Sequence, residues 1–153
     1  MVQHALTTHM DFDLDIAKER NERNPVYYAQ YAYVRMQSIL RKAKEAGLLG
    51  TDESPLELSS RSALTHTTEI NLMRVLYRFP EVVADITSTK EPQRLAYYAI
   101  ELAQKIHVFY KNVRVLEADN EDVKLSRLQL VLAARKVLGQ TLDLLGIDKP
   151  DVM

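Results

Sequence analysis

Aromatic and cationic side chains share one side of a predicted helix that begins at Pro25. With about 100° between successive residues, the stripe beside the apolar face consists of Tyr28, Tyr31, Arg35 and Lys42. Aromatic rings beside cations can stack unpaired bases and neutralise phosphates, which is how single-stranded RNA loops are held. The alternative is that these tyrosines border the core with their hydroxyls in water, and spacing alone favours it.

The residue types needed for catalysis or metal binding do not assemble in this sequence. Its four histidines are scattered, and His66-x-x-Glu69 is the reverse of the Glu-x-x-His pair of di-iron bundles. The absence of cysteine excludes thiolate sites, and four glycines leave no room for a glycine-rich phosphate loop. We therefore predict no catalytic residue and no metal site, and expect His107 to pack against its helix face rather than bind a ligand.

Arg135 lies in the middle of the apolar face of the last predicted helix. A buried guanidinium requires a partner, because an isolated charge is costly to remove from water. We expect a structural ion pair with a carboxylate such as Asp85 or Glu101, and no catalytic role.

Composition describes a globular protein of about one domain. The chain has 153 residues, 46% of them hydrophobic, and its net charge of −1 excludes nucleic-acid binding driven by overall charge. Cations nevertheless outnumber acids between Lys18 and Lys44. We predict a cytoplasmic protein, since the sequence contains no membrane span and no secretory signal, and the absence of cysteine fits a reducing compartment.

Apolar residues recur at three- and four-residue steps, which predicts an all-α, single-domain bundle of four or five helices. The first helix should be capped by Asn24 and run from Pro25 to about Ala46. Residues 47–60 read as a loop. The remaining expectations are a helix from Thr67 or Thr68 that Pro80 ends or bends, a short helical piece over 81–87, a helix from Pro92, and a final helix from about Glu121 to Leu145.

Short motifs follow one another in a characteristic order from Met10 to the end of the chain. They include Asn24-Pro25-Val26-Tyr27-Tyr28-Ala29-Gln30-Tyr31-Ala32, Phe79-Pro80-Glu81, Phe109-Tyr110, Leu144-Leu145-Gly146-Ile147 and the final Met153. This succession resembles arginyl-tRNA synthetase where that enzyme passes from its catalytic domain into its C-terminal anticodon-binding domain. The resemblance implies that residues 1–13 are the end of the catalytic domain or a linker, and that residues 14–153 form the helical anticodon-binding domain.

The resemblance also implies the partners and the contact residues. The partners would be the anticodon loop of arginine tRNA, whose middle base is cytosine, and the catalytic domain of the same polypeptide, with no DNA or membrane. Residue by residue, the anticodon contacts fall on Tyr28, Tyr31, Arg35, Tyr110 and Met153. Lys42, from the helical stripe, would contact a phosphate.

The sequence departs from the family's pattern at two motifs of the anticodon-binding domain, and it lacks the two motifs of the catalytic domain. The family's Asp-Ala-Leu-Arg motif has only a loose counterpart in Lys124-Leu125-Ser126-Arg127, and the final methionine follows Asp151-Val152 rather than Glu-Arg. The His-Ile-Gly-His-like and Lys-Met-Ser-Lys-Ser-like motifs of the catalytic domain are absent. We interpret the chain as a C-terminal fragment that needs no cofactor. The full enzyme would use ATP and Mg²⁺.

Two alternatives remain open at this stage. Cysteinyl-tRNA synthetase and one subunit of bacterial glycyl-tRNA synthetase have similar helical anticodon domains. A helical interaction module that binds a partner helix would instead have no affinity for RNA.

Overall fold

The computed structural model describes residues 19, 21, 23–50 and 64–153, and these ranges contain five helices. The helices are α1 (Pro25–Glu45), α2 (Thr67–Tyr77), α3 (Phe79–Thr89), α4 (Gln93–Asn112) and α5 (Glu121–Leu144). The predicted all-α bundle is confirmed. The predicted boundary between residues 13 and 14, and residues 51–60 of the predicted loop, lie outside the described residues.

Helix α1 begins and ends where its local sequence predicts. The Asn24 side chain accepts hydrogen bonds from the backbone N–H groups of Val26 and Tyr27, at 3.0 and 3.4 Å. Pro25 occupies the first helical position, where no N–H is needed. Gly47 then adopts a φ of 70°, a left-handed conformation that glycine reaches without strain and that ends the helix.

Helix α2 begins at Thr67, one of the two predicted starts. His66 caps it: its Nδ1 accepts from Thr68 N at 3.2 Å, and its own N–H donates to Glu69 Oε2 at 2.9 Å. Of the two outcomes predicted for Pro80, an end and not a bend is found: α2 ends at Tyr77, and Pro80 lies in the first turn of α3. A proline there removes an N–H that would have had no helical partner, so a new helix can begin at once.

The core forms around α4, which packs against the other four described helices. Its fully buried residues include Leu102, Ile106 and Phe109. Tyr98, also buried, donates its hydroxyl to the backbone oxygen of Val75 on α2 at 3.1 Å. Burial raises the pKa of this hydroxyl well above its usual value, so Tyr98 stays a neutral hydrogen-bond donor.

A buried ion pair connects α2, α5 and the linker between α4 and α5. Glu69 is 1% exposed, and its Oε1 accepts from Arg127 Nε at 2.7 Å. Arg127 Nη1 also donates to the backbone oxygen of Arg114 at 3.1 Å. Arg127 therefore fixes the start of the linker at the point where the chain leaves α4.

Arg135 does not bond to either carboxylate that the sequence suggested. Its Nη1 donates to Gln37 Oε1 on α1 at 2.9 Å, and the residue is half-buried. Glu101 pairs instead with Arg78 at 2.9 Å, and Asp85 is exposed on α3. The prediction of Asp85 or Glu101 as its partner is wrong because this part of α5 faces α1.

We expect Arg127→Met to lower the free energy of unfolding by about 3 kcal/mol, because the Glu69 carboxylate stays buried without its counter-charge. The measurement is urea unfolding. Arg78→Met is the control, since it breaks an ion pair whose side chains are 50% and 38% exposed, which should cost less than about 1 kcal/mol. Equal losses for the two variants would contradict this account of the buried pair.

Arg135→Ala should lower the free energy of unfolding by about 1 kcal/mol through loss of a charged hydrogen bond. This corresponds to a decrease in Tm of about 3 °C for a domain of this size. The matched control is Lys136→Ala, because Lys136 is the next residue and is exposed. This control should leave Tm unchanged when both variants are measured by scanning calorimetry. An unchanged Tm for Arg135→Ala would show that Arg135 does not stabilise the fold.

Candidate nucleic-acid interface

An open cavity of about 810 Å³ lies between α1 and α4, and we call it the α1–α4 cavity. The first half of α1, the last turns of α4 and the residues flanking them supply its walls. The described residues that line it are Asn21, Tyr27, Tyr28, Tyr31, Arg35, His107, Val108, Tyr110, Lys111 and Arg114.

Three of the α1 residues that line this cavity lie one above another along the helix. Tyr27, Tyr31 and Arg35 are separated by four residues each, so they follow one face of the helix. The rings of Tyr27 and Tyr31 stack with centroids 6.1 Å apart. Ala32 and Met36, on another face, are fully buried and fix the rotation of α1 about its axis.

The Arg35 guanidinium lies against one aromatic ring of α1 and one of α4. Its guanidinium carbon lies 4.4 Å from the ring centroid of Tyr31 and 4.7 Å from that of Tyr110. Its Nη2 also donates to the Tyr31 hydroxyl at 3.4 Å. Both ring distances are within the range of cation–π attraction. The guanidinium is therefore held at a defined place in the cavity.

His107 supports this arrangement from α4. Its Nδ1 lies 3.1 Å from Arg35 Nη1, and its Nε2 lies 3.2 Å from the backbone oxygen of Tyr28. The imidazole and the Tyr28 ring have centroids 4.4 Å apart. His107 is half-buried, and it packs as the sequence suggested, but the packing partners are the residues of the candidate site.

The described residues that line the cavity carry positive charge, although the whole chain does not. Arg35, Lys111 and Arg114 line it, and none of its described lining residues is a carboxylate. Lys111 and Arg114 are exposed, so their charges reach solvent. The arrangement offers aromatic faces and cations to an anionic ligand with flat rings, which is the chemistry of an unpaired nucleotide.

The sequence interpretation missed the contribution of α4 apart from Tyr110. His107, Tyr110 and Lys111 of α4 are three or four residues apart, so they share one side of that helix, and Arg114 follows in the linker. This spacing is the same signal that identified the stripe on α1. It could have indicated a second stripe, but not that the two helices place their stripes face to face.

The structure brings together four of the predicted contact residues and leaves two apart. Tyr28, Tyr31, Arg35 and Tyr110 all line the α1–α4 cavity, and Tyr110 is 40% exposed. Lys42 is exposed two turns beyond Arg35 on α1, about 10 Å along the helix axis. Met153 is 46% exposed and is not among the lining residues.

Neither a metal-binding cluster nor a membrane-spanning helix occurs in the described ranges. No group of three or more histidine, aspartate or glutamate side chains in those ranges is close enough to hold a metal ion. His66 and Glu69 instead form the cap of α2. None of the described helices combines the length and apolarity needed to cross a membrane.

The fold and the cavity define an all-helical domain with an aromatic, cationic site between two helices. Residues 29–153 match the family described as the DALR anticodon binding domain. The match covers most of the chain, and the chain therefore belongs to this family.

Arginine–tRNA ligases are among the proteins that this chain is similar to. The chain is 39% identical to the arginine–tRNA ligase of Shouchella clausii over 149 residues, which covers 95% of this chain and 25% of that protein. It is 43% identical to the arginine–tRNA ligase of Dehalococcoides mccartyi over 147 residues, again covering 95% of this chain and 25% of that protein. The chain thus spans about a quarter of the length of these relatives.

Solved structures show the same fold. The arginyl-tRNA synthetase of Thermus thermophilus matches with a TM-score of 0.67 and 33% identity over 82% of this chain and 21% of that chain. A Campylobacter jejuni protein described as an arginyl-tRNA synthetase matches with a TM-score of 0.79 over 99% of this chain and 31% of that one, at 24% identity. These matches favour the arginyl family over the cysteinyl, glycyl and interaction-module alternatives.

Proposed function

We propose that this domain binds the anticodon loop of an arginine tRNA as the C-terminal part of an arginyl-tRNA synthetase. The observation that carries the proposal is the α1–α4 cavity, where the three predicted tyrosines and Arg35 meet in one open, positively charged site. The family and the relatives described above support the same role.

The tyrosines would hold bases that leave the stack of the loop. Tyr28 and Tyr31 present their rings from α1, and Tyr110 presents its ring from α4. Stacking on an aromatic ring contributes about 1–3 kcal/mol per base without selecting among bases. Stacking therefore supplies affinity, and the choice of base must come from hydrogen bonds to its edge.

Arg35 is the side chain in this cavity best suited to read a base edge or to bind a phosphate. A guanidinium carries five N–H donors. The contact to His107 occupies one N–H of Nη1, and the contact to Tyr31 occupies one N–H of Nη2. The remaining donors can reach a base oxygen or a phosphate. We propose that selection of the middle cytosine also uses backbone groups near Met153, as the family resemblance implies.

Phosphates of the loop and stem would be neutralised around the cavity. Lys111 and Arg114 lie at its rim, and Lys42 extends the positive surface two turns along α1. Because each neutralised phosphate releases counterions, binding should weaken as the salt concentration rises.

The remaining parts of the enzyme would lie in the polypeptide that this chain does not include. The relatives are about four times as long as the aligned region, since it covers 25% of them. We propose that a catalytic domain of the same polypeptide binds ATP, arginine and Mg²⁺ and ligates arginine to the tRNA, and that this takes place in the cytoplasm.

Tyr110→Ala should weaken binding of an arginine anticodon stem-loop at least about tenfold, because one stacking surface is lost. The measurement is fluorescence anisotropy with labelled RNA. Tyr97→Ala is the matched control, since Tyr97 is a 53% exposed tyrosine of α4 that does not line the α1–α4 cavity. If Tyr110→Ala bound as tightly as the unmodified chain, Tyr110 would not belong to the site.

Lys111→Gln and Lys42→Gln should each reduce the slope of log K against log salt concentration by about 0.7, the value for one phosphate of a single strand. The control is Lys136→Gln, because Lys136 lines a different cavity, between α1 and α5. An unchanged slope for Lys42→Gln would show that Lys42 does not contact a phosphate. A decrease for Lys136→Gln equal to that for Lys111→Gln would indicate binding without a defined site.

A further inference from the structure

We infer that His107 is a positioning residue for RNA binding: as a neutral imidazole with its proton on Nε2, it holds the Arg35 guanidinium in the orientation that a base or phosphate requires. The inference rests on the proposed function, since it specifies how one residue of that site is prepared for RNA. It concerns a histidine for which the sequence suggested only packing.

The protonation state follows from the chemistry of the two partners. A guanidinium has only donors, so His107 Nδ1, 3.1 Å from Arg35 Nη1, must accept and carries no proton. The proton of the neutral ring is then on Nε2, which lies 3.2 Å from the backbone oxygen of Tyr28. A carbonyl oxygen can only accept, so this tautomer satisfies both contacts and the opposite tautomer satisfies neither.

The two contacts connect parts of α1 that are two turns apart. Tyr28 and Arg35 are seven residues apart, and one imidazole from α4 reaches the backbone of the first and the side chain of the second. The ring also packs at 4.4 Å from Tyr28 and 5.8 Å from Tyr31, between centroids. His107 therefore sets the position of Arg35 relative to the tyrosines that would stack the bases.

The consequence for binding is that Arg35 is ordered before RNA arrives. A long side chain in solvent loses rotamer freedom when it binds, and that loss weakens binding. The acceptor on His107 and the rings of Tyr31 and Tyr110 restrict Arg35 in the unbound protein. Removal of the acceptor should leave Arg35 present but less ordered.

Two substitutions separate the two contacts of His107. Asparagine places its side-chain oxygen near the position of Nδ1, and glutamine places its amide nitrogen near the position of Nε2. We expect His107→Asn to bind the anticodon stem-loop within about twofold of the unmodified chain, and His107→Gln to bind about fivefold more weakly. Equal affinity of the glutamine variant and the unmodified chain would overturn the inference, as would equal loss in both variants.

A double-mutant cycle shows whether His107 acts through Arg35. In the Arg35→Ala background, His107→Gln should cause no further loss of affinity, because the residue that it positions is gone. A full additional fivefold loss would show that His107 contributes independently, and the positioning role would be wrong. Circular dichroism melting of all variants identifies any loss of affinity that comes from unfolding.

The tautomer itself can be measured without RNA and without substitution. Long-range ¹H–¹⁵N correlation spectra of the unbound chain should show an unprotonated Nδ1 and a protonated Nε2 for His107 at neutral pH. A proton on Nδ1 would overturn the inference even if RNA binds. If the unmodified chain shows this tautomer but does not bind the stem-loop, the proposed function fails while the geometry of His107 stands.

Discussion

The candidate site depends on the contact of one guanidinium with two helices. Arg35 belongs to α1, yet it lies against a ring from each helix, 4.4 Å from Tyr31 and 4.7 Å from Tyr110. A buried or half-buried cation needs such partners, because desolvation without them is unfavourable. The same contacts leave the guanidinium facing an open cavity. One interaction therefore connects the two helices and prepares the surface that would bind RNA.

The rest of the fold maintains the spacing on which this contact depends. Met36 on α1 and Phe109 on α4, each adjacent to a residue of the Arg35 contact, are fully buried and fix the faces that the two helices present. Glu69 and Arg127 fix the linker at Arg114, which lines the cavity. A displacement of either helix by about 1 Å would be enough to weaken stacking and hydrogen bonds at the site.

Features set by neighbours in the sequence could be predicted, and features set by packing could not. The helix start at Asn24-Pro25 and the stripe of Tyr28, Tyr31 and Arg35 follow from capping and helical period, which are local properties. Tyr110 came from the family resemblance, because helical geometry does not say which helix faces α1. The same limit explains the error over Asp85 and Glu101, because the sequence does not say that this part of α5 faces α1 and brings Arg135 to Gln37. It also explains the omission of His107 from the site, since its contacts with Tyr28 and Arg35 depend on α1 lying opposite α4.

The proposed function requires that an unpaired pyrimidine enters the α1–α4 cavity among Tyr28, Tyr31 and Tyr110. Its most direct test is an aromatic ¹H–¹³C spectrum of the chain as an arginine anticodon stem-loop is added. We expect ring-current shifts for these three tyrosines, and unchanged resonances for Tyr33 and Tyr97, which line other cavities. Shifts confined to Tyr33 or Tyr97, with the three cavity tyrosines unaffected, would contradict it.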